Sequence, residues 1–65
     1  MGFELTETNT WYNKETEMIV KLITPVGHST EYILELEQGN TARLVTELDK
    51  IKKVLYMYGI NCTVN

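Results

Sequence analysis

The chain has 65 residues, of which 43% are hydrophobic and 23% charged, and a formal net charge of -3. This ordinary globular mixture excludes collagen-like, low-complexity and strongly disordered chains, and the length predicts a single domain over residues 1–65. The chain has no apolar run long enough for a membrane span and no secretory start signal. Its single cysteine, Cys62, cannot form an internal disulfide bond. We therefore expect a cytoplasmic protein that does not contact a membrane.

The first fourteen residues predict a long strand with an interruption. Phe3, Leu5 and Trp11 fall on one side of an extended chain, whereas Glu7 between them would point into the core on the same side. We therefore expect a bend or bulge between Leu5 and Trp11. The pair at residues 13–14, Asn-Lys, predicts a tight turn into the next strand.

The clearest β signal is a hairpin. Residues 16–23 and 30–37 are rich in β-branched and apolar side chains, and residues 24–28 separate them. Within that turn Pro25 presets a first turn position and Gly27 accepts a left-handed conformation. This pattern predicts a three-residue hairpin loop with a bulge.

The predicted hairpin loop determines which residues oppose each other. It places Met18 opposite Leu34 on an inner face, and Ile19 opposite Ile33 on an outer face. The same register brings four glutamates together at one end of the outer face: Glu15, Glu17, Glu35 and Glu37. This glutamate quartet is either a solvated, frayed strand end, a docking site for a basic partner, a divalent-cation site or, least favoured, a glycosidase-like acid/base pair.

A helix is predicted over residues 41–58. Apolar residues recur there at helical spacing, namely Leu44, Leu48, Ile51, Leu55 and Tyr58. Gly59 follows where a helix end favours a left-handed residue. Alternation of Ile60, Cys62 and Val64 predicts a short final strand. The predicted fold is α+β in the order β-β-β-α-β, an antiparallel meander with one helix packed on one face.

Catalytic and cofactor chemistry find no support in the residues. The one histidine, His28, lies in the predicted turn, far along the chain from Cys62, and Ser29 beside it would point to the opposite face. No Cys or His pair has metal-ligand spacing, and the four glycines are scattered rather than gathered in a phosphate-binding loop. We expect a protein that is not an enzyme and has no cofactor.

A binding surface is the favoured interpretation. Ile19 and Ile33 would form an apolar centre on the outer face, and the glutamate quartet would steer a partner toward it. Trp11 and Tyr12 are further anchors, or else they cover the core. The sequence therefore predicts a small acidic binding module that docks on, or inhibits, a protein partner with a basic surface. A nucleic-acid-handling enzyme has such a surface.

Two alternatives come from other classes of protein. A nucleic-acid-binding regulator would use Arg43, Lys50 and Lys53 on one helix side, with Met57 nearby, although nine acids against six bases disfavour contact with nucleic acid. A self-assembling structural protein or homodimer would form through the terminal strand or the isoleucine face. Small size and many Asn, Lys, Ile and Tyr residues suggest a bacterial or phage origin.

Overall fold

The computed structural model describes residues 2–61, which form an antiparallel five-stranded sheet and one helix, an α+β arrangement. The elements in chain order are β1 (Glu4–Glu7), β2 (Thr10–Asn13), β3 (Met18–Ile23), β4 (Tyr32–Gln38), β5 (Asn40–Thr46) and α1 (Leu48–Met57). The strands lie side by side in the order β1-β2-β3-β4-β5. The predicted order β-β-β-α-β is wrong, because the helix follows all the described strands. The final strand predicted around Cys62 and Val64 lies outside the described residues.

The predicted long first strand is a hairpin of two short strands. A turn at residues 8–9 separates β1 from β2, and Asn9 adopts a φ of 56° there. The pairing also shifts between Leu5 and Glu7, so the irregularity expected between Leu5 and Trp11 is present. The next turn follows Asn13, whose side-chain Oδ1 accepts hydrogen bonds from the backbone N–H groups of the two residues at 15–16.

The loop between β3 and β4 is longer than predicted. β4 begins at Tyr32, and the Ser29 N–H donates to the Val26 carbonyl oxygen at 3.4 Å inside the loop. The residue opposite Ile19 is consequently Glu37 and not Ile33, a shift of four residues. Because four is an even number, the shift keeps every side chain on its predicted face. The predicted cross-strand neighbours are therefore wrong, whereas each side chain of the hairpin lies on the sheet face that was predicted for it.

Residues 41–46, predicted as the start of the helix, lie in strand β5. Gly39 has a φ of +80°, and the chain reverses there to form a hairpin with β4. Leu44 lies opposite Leu34, and the β-branched residues Val45 and Thr46 favour an extended chain. Leu44 fits both the helical spacing with Leu48 and the alternation of a strand, so the apolar pattern alone did not separate the two structures.

One buried cluster joins the sheet to the helix. Val20, Leu22 and Leu34 come from β3 and β4, and they are joined by Ile51 and Leu55 of α1 and by the residue that follows the helix, Ile60. Half-buried side chains pack around this cluster: Phe3, Trp11, Met18, Tyr32, Leu36 and Val54. No helix among residues 2–61 has the length and apolar character of a membrane span.

The end of α1 forms the predicted left-handed cap. The Ile60 N–H donates to the Leu55 carbonyl at 2.9 Å, and the Gly59 N–H donates to the Tyr56 carbonyl at 2.9 Å. Gly59 has a φ of +77° between them. Ile60 and Leu55 are both buried in the core cluster, which is the apolar contact that accompanies this type of cap. The cap therefore returns the chain to the core immediately after the helix.

Replacing Gly59 with alanine should lower the free energy of unfolding by about 1 kcal/mol, because an L-residue is strained at positive φ. A Cβ at this position would meet no atom within 4 Å, so the loss would be conformational and not steric. Urea denaturation followed by circular dichroism measures it. Gly59→Asn is the matched control and should lose less, because asparagine tolerates this conformation. An unchanged denaturation midpoint for Gly59→Ala would contradict the strained-cap interpretation.

Candidate docking face of the sheet

Three apolar side chains form a row across the sheet face that points away from the core cluster, here called the outer face. Ile23 lies opposite Ile33, and Ile33 lies opposite Val45, so the row crosses β3, β4 and β5. None of the three belongs to the buried cluster. Ile23 is 38% exposed and Val45 is 50% exposed, while Ile33 between them is half-buried. We call Ile23, Ile33 and Val45 the apolar row.

A charged row runs beside the apolar row. Glu35 of β4 lies opposite Lys21 on one side and opposite Arg43 on the other. The Arg43 guanidinium donates to the Glu35 carboxylate with Nη2 and Oε2 2.5 Å apart. Because the Arg43 side chain is 61% exposed, this pair contributes only about 0.2–1 kcal/mol to stability. Its main effect is to lay the Arg43 side chain across β4 and to balance the charge of Glu35.

Ile19 lies on the far side of the charged row. Its cross-strand neighbours are Tyr12 in β2 and Glu37 in β4. Ile19 and Tyr12 are both half-buried. Ile19 and Ile33 therefore do not form the single apolar centre that the sequence predicted, since the longer loop separates them along the strands.

The predicted glutamate quartet is dispersed. Glu15 and Glu17 lie in the turn over residues 14–17, while Glu35 is paired with Arg43 and Glu37 lies opposite Ile19. The predicted neighbours Glu17–Glu35 and Glu15–Glu37 are wrong, for the same reason as the isoleucine pair. In the described part of the chain no group of three or more His, Cys, Asp or Glu residues is placed to hold a metal ion. The cation site suggested by that quartet thus loses its geometric basis.

The structure gives Trp11 the core-covering role that the sequence left open for it, and it changes the predicted basic helix side. Trp11 lies opposite Val20 and packs against the core cluster, so it is on the inner face and apart from the apolar row. The basic helix side loses one of its three members, because Arg43 lies in β5. Lys50 and Lys53 remain exposed on α1.

Sequence reasoning missed Val45 as a surface residue because it placed it in the helix. The alternation of Arg43, Leu44 and Val45 was the available signal, since alternate residues of a strand face opposite sides. The Gly39-Asn40 pair after a β-rich segment was the second signal, because it favours a hairpin turn.

Acidic residues border the side of the apolar row that faces away from the charged row. Glu31 precedes β4 and Glu47 follows β5, each one residue beyond the cross-strand pair Tyr32 and Thr46. Both glutamates are exposed. The described residues form no pocket. No protein-family model, curated protein or solved structure matches the chain.

Proposed function

We propose that the protein is a small, non-enzymatic binding module that docks through its outer face onto a protein partner. The observation that carries this proposal is the apolar row, three aligned side chains on the face opposite the core. An apolar centre bordered by charge is the usual composition of a protein-binding patch. In this arrangement Ile33 is the central anchor, while Ile23 and Val45 widen the contact.

The charges around the row favour a basic partner. Strand positions on the outer face carry four glutamates and two bases, namely Glu4, Glu7, Glu35, Glu37, Lys21 and Arg43. Glu31 and Glu47 add two more acids beside the apolar row. The whole chain has a net charge of -3. A partner with an apolar patch and a basic rim would be attracted electrostatically from a distance, and the apolar row would then cover its apolar patch.

Occlusion is the mechanism that such a face supports. The outer face is a sheet surface held by regular pairing along β3, β4 and β5, so docking needs no rearrangement of these strands. A module of this kind inhibits by covering the surface that its target uses. A basic groove, such as that of a nucleic-acid-handling enzyme, has the matching chemistry.

Affinity capture with matched variants tests the proposal. Immobilised wild-type protein and the variants Ile33→Lys and Met57→Lys are incubated with lysate of the source cells, and bound proteins are quantified by mass spectrometry. Met57 is the control, because it is 83% exposed on the helix and away from the sheet. We expect a basic protein bound by wild type and Met57→Lys, with affinity for Ile33→Lys reduced about 30-fold or more, as for a buried anchor worth about 2 kcal/mol.

A second variant and a salt series complete the capture experiment. Ile23→Lys, at a more exposed position, should also weaken binding, and it replaces Ile33→Lys if circular dichroism shows that the latter is unfolded. Binding should weaken as salt rises, because the acidic border supplies the attraction. The proposal would be overturned if the variants Ile33→Lys and Ile23→Lys are folded and bind the partner as tightly as wild type does.

A further inference from the structure

The two edges of the sheet are unequal. β1 has four residues, an irregular pairing between Leu5 and Glu7, and two glutamates. Short length, a bulge and charge are features that prevent an edge strand from pairing with another chain. β5 has seven residues that all pair regularly with β4, no proline, and one charged residue, Arg43, whose side chain is laid over Glu35. β5 therefore lacks the short length and the irregular pairing that protect β1, and Arg43 is its only charge.

The surroundings of β5 point in the same direction. Its residues 40–45 are exposed, and it has an exposed apolar side chain on each face, with Leu44 at 38% and Val45 at 50%. The helix contacts β4 and β5, while its end lies toward the opposite edge, since the rings of Phe3 and Tyr58 meet edge to face with their centres 6.1 Å apart. Among residues 2–61, no strand pairs with the edge of β5 that points away from β4.

We propose that β5 pairs antiparallel with β5 of a second copy of this chain, about a two-fold axis at Val45. In this register Val45 lies opposite Val45 of the second copy, Leu44 lies opposite Thr46, and Arg43 lies opposite Glu47. The two five-stranded sheets then become one continuous sheet. The two apolar rows meet at the axis and form one row of six side chains. This assembly is separate from the docking proposed above and needs no other protein.

Charge selects this register from its neighbours. An axis at Arg43 would place two guanidinium groups opposite each other, and an axis at Leu44 would place Arg43 opposite Val45. The axis at Val45 instead gives two Arg43–Glu47 pairs of opposite charge. Glu47 can extend the strand, because its backbone is extended with φ -69° and ψ 153° and its side chain does not cap the helix.

Cysteine cross-linking tests the register. In a Cys62→Ser background, Val45→Cys places two thiols across the axis, where opposed residues of antiparallel strands are about 4.5–5.5 Å apart between Cα atoms, a separation that a disulfide bond spans. We expect rapid disulfide-linked dimer from Val45→Cys and little from Leu44→Cys under mild oxidation. Dimer from Leu44→Cys and not from Val45→Cys would overturn the register.

Light scattering on the purified, uncross-linked protein tests the assembly itself. We expect a species of twice the 7.5 kDa chain mass. Glu47→Arg should raise the dimer dissociation constant at least tenfold, because arginine would then oppose Arg43. Glu4→Arg makes the same charge change on the β1 edge and should leave the dimer intact. A wild-type monomer at millimolar concentration, or equal behaviour of the two variants, would overturn the proposal whatever the outcome of the capture experiment.

Discussion

Leu55→Ala is expected to lower the free energy of unfolding by about 2–5 kcal/mol. Leu55 is fully buried, in the same cluster as Val20 and Leu34 of the sheet. Alanine is the best helix former, so the loss would come from the cavity and not from helix propensity. A chain of this length has a total stability of about 3–10 kcal/mol, so this one substitution would remove a large share of it. Urea denaturation followed by circular dichroism gives the value.

Tyr56→Ala is the matched control for Leu55→Ala. Tyr56 is the next helix residue and is 81% exposed, so its replacement should change stability by less than about 0.5 kcal/mol. If Leu55→Ala has no folded baseline, Ile51→Val in the same cluster should still show a loss of about 0.5–1.5 kcal/mol. Similar losses for Leu55→Ala and Tyr56→Ala would show that α1 does not pack on the sheet as described.

A disulfide bond between positions 23 and 33 is expected to form and to stabilise the fold by about 3 kcal/mol. The stabilisation arises because the cross-link lowers the conformational entropy of the unfolded chain. Ile23 and Ile33 are opposed in β3 and β4. Opposed residues of antiparallel strands have a Cα separation that suits a disulfide bond. In a Cys62→Ser background, Ile23→Cys/Ile33→Cys should lose both free thiols on mild oxidation and gain stability that a reductant removes.

The pair Ile19→Cys/Ile33→Cys is the control for the strand register. The three-residue loop would place these two positions opposite each other, whereas the observed loop leaves them four residues apart along the strand, about 13 Å. This pair should keep its free thiols under the same conditions. Intramolecular disulfide formation at 19 and 33, and not at 23 and 33, would show that the shorter loop is correct.

The hairpin of β3 and β4 shows what the apolar pattern of a strand can and cannot predict. Alternation in β3 and β4 predicts which side chains face the core, and Val20, Leu22 and Leu34 are buried as it requires. Alternation has a period of two, so it is equally satisfied by any register shift of two or four residues. The loop length decides among these registers. Gly27 adopts its left-handed conformation, with a φ of 67°, yet the loop extends to residue 31.

The boundary between β5 and α1 could not be located from apolar spacing. Leu44 precedes Leu48 by four residues, so it continues the helical pattern backward, although it lies in a strand opposite Leu34. The residue types of this segment indicated the boundary, because Gly39 favours a turn and the β-branched residues Val45 and Thr46 favour a strand. The candidate site was affected accordingly, because Val45 joins the apolar row only when residues 40–46 form a strand.

The strand order has a consequence for the speed of folding. Each strand from β1 to β5 pairs with its immediate neighbours along the chain, so every hairpin closes a short loop and needs little search. Proteins with such local contacts fold faster than sheets in which distant segments must meet. The ring contact of Phe3 with Tyr58 is different, since it joins opposite ends of the described chain. Folding can therefore advance hairpin by hairpin. The docking of the helix end near Phe3 closes the longest loop, so it is the step that costs the most chain entropy.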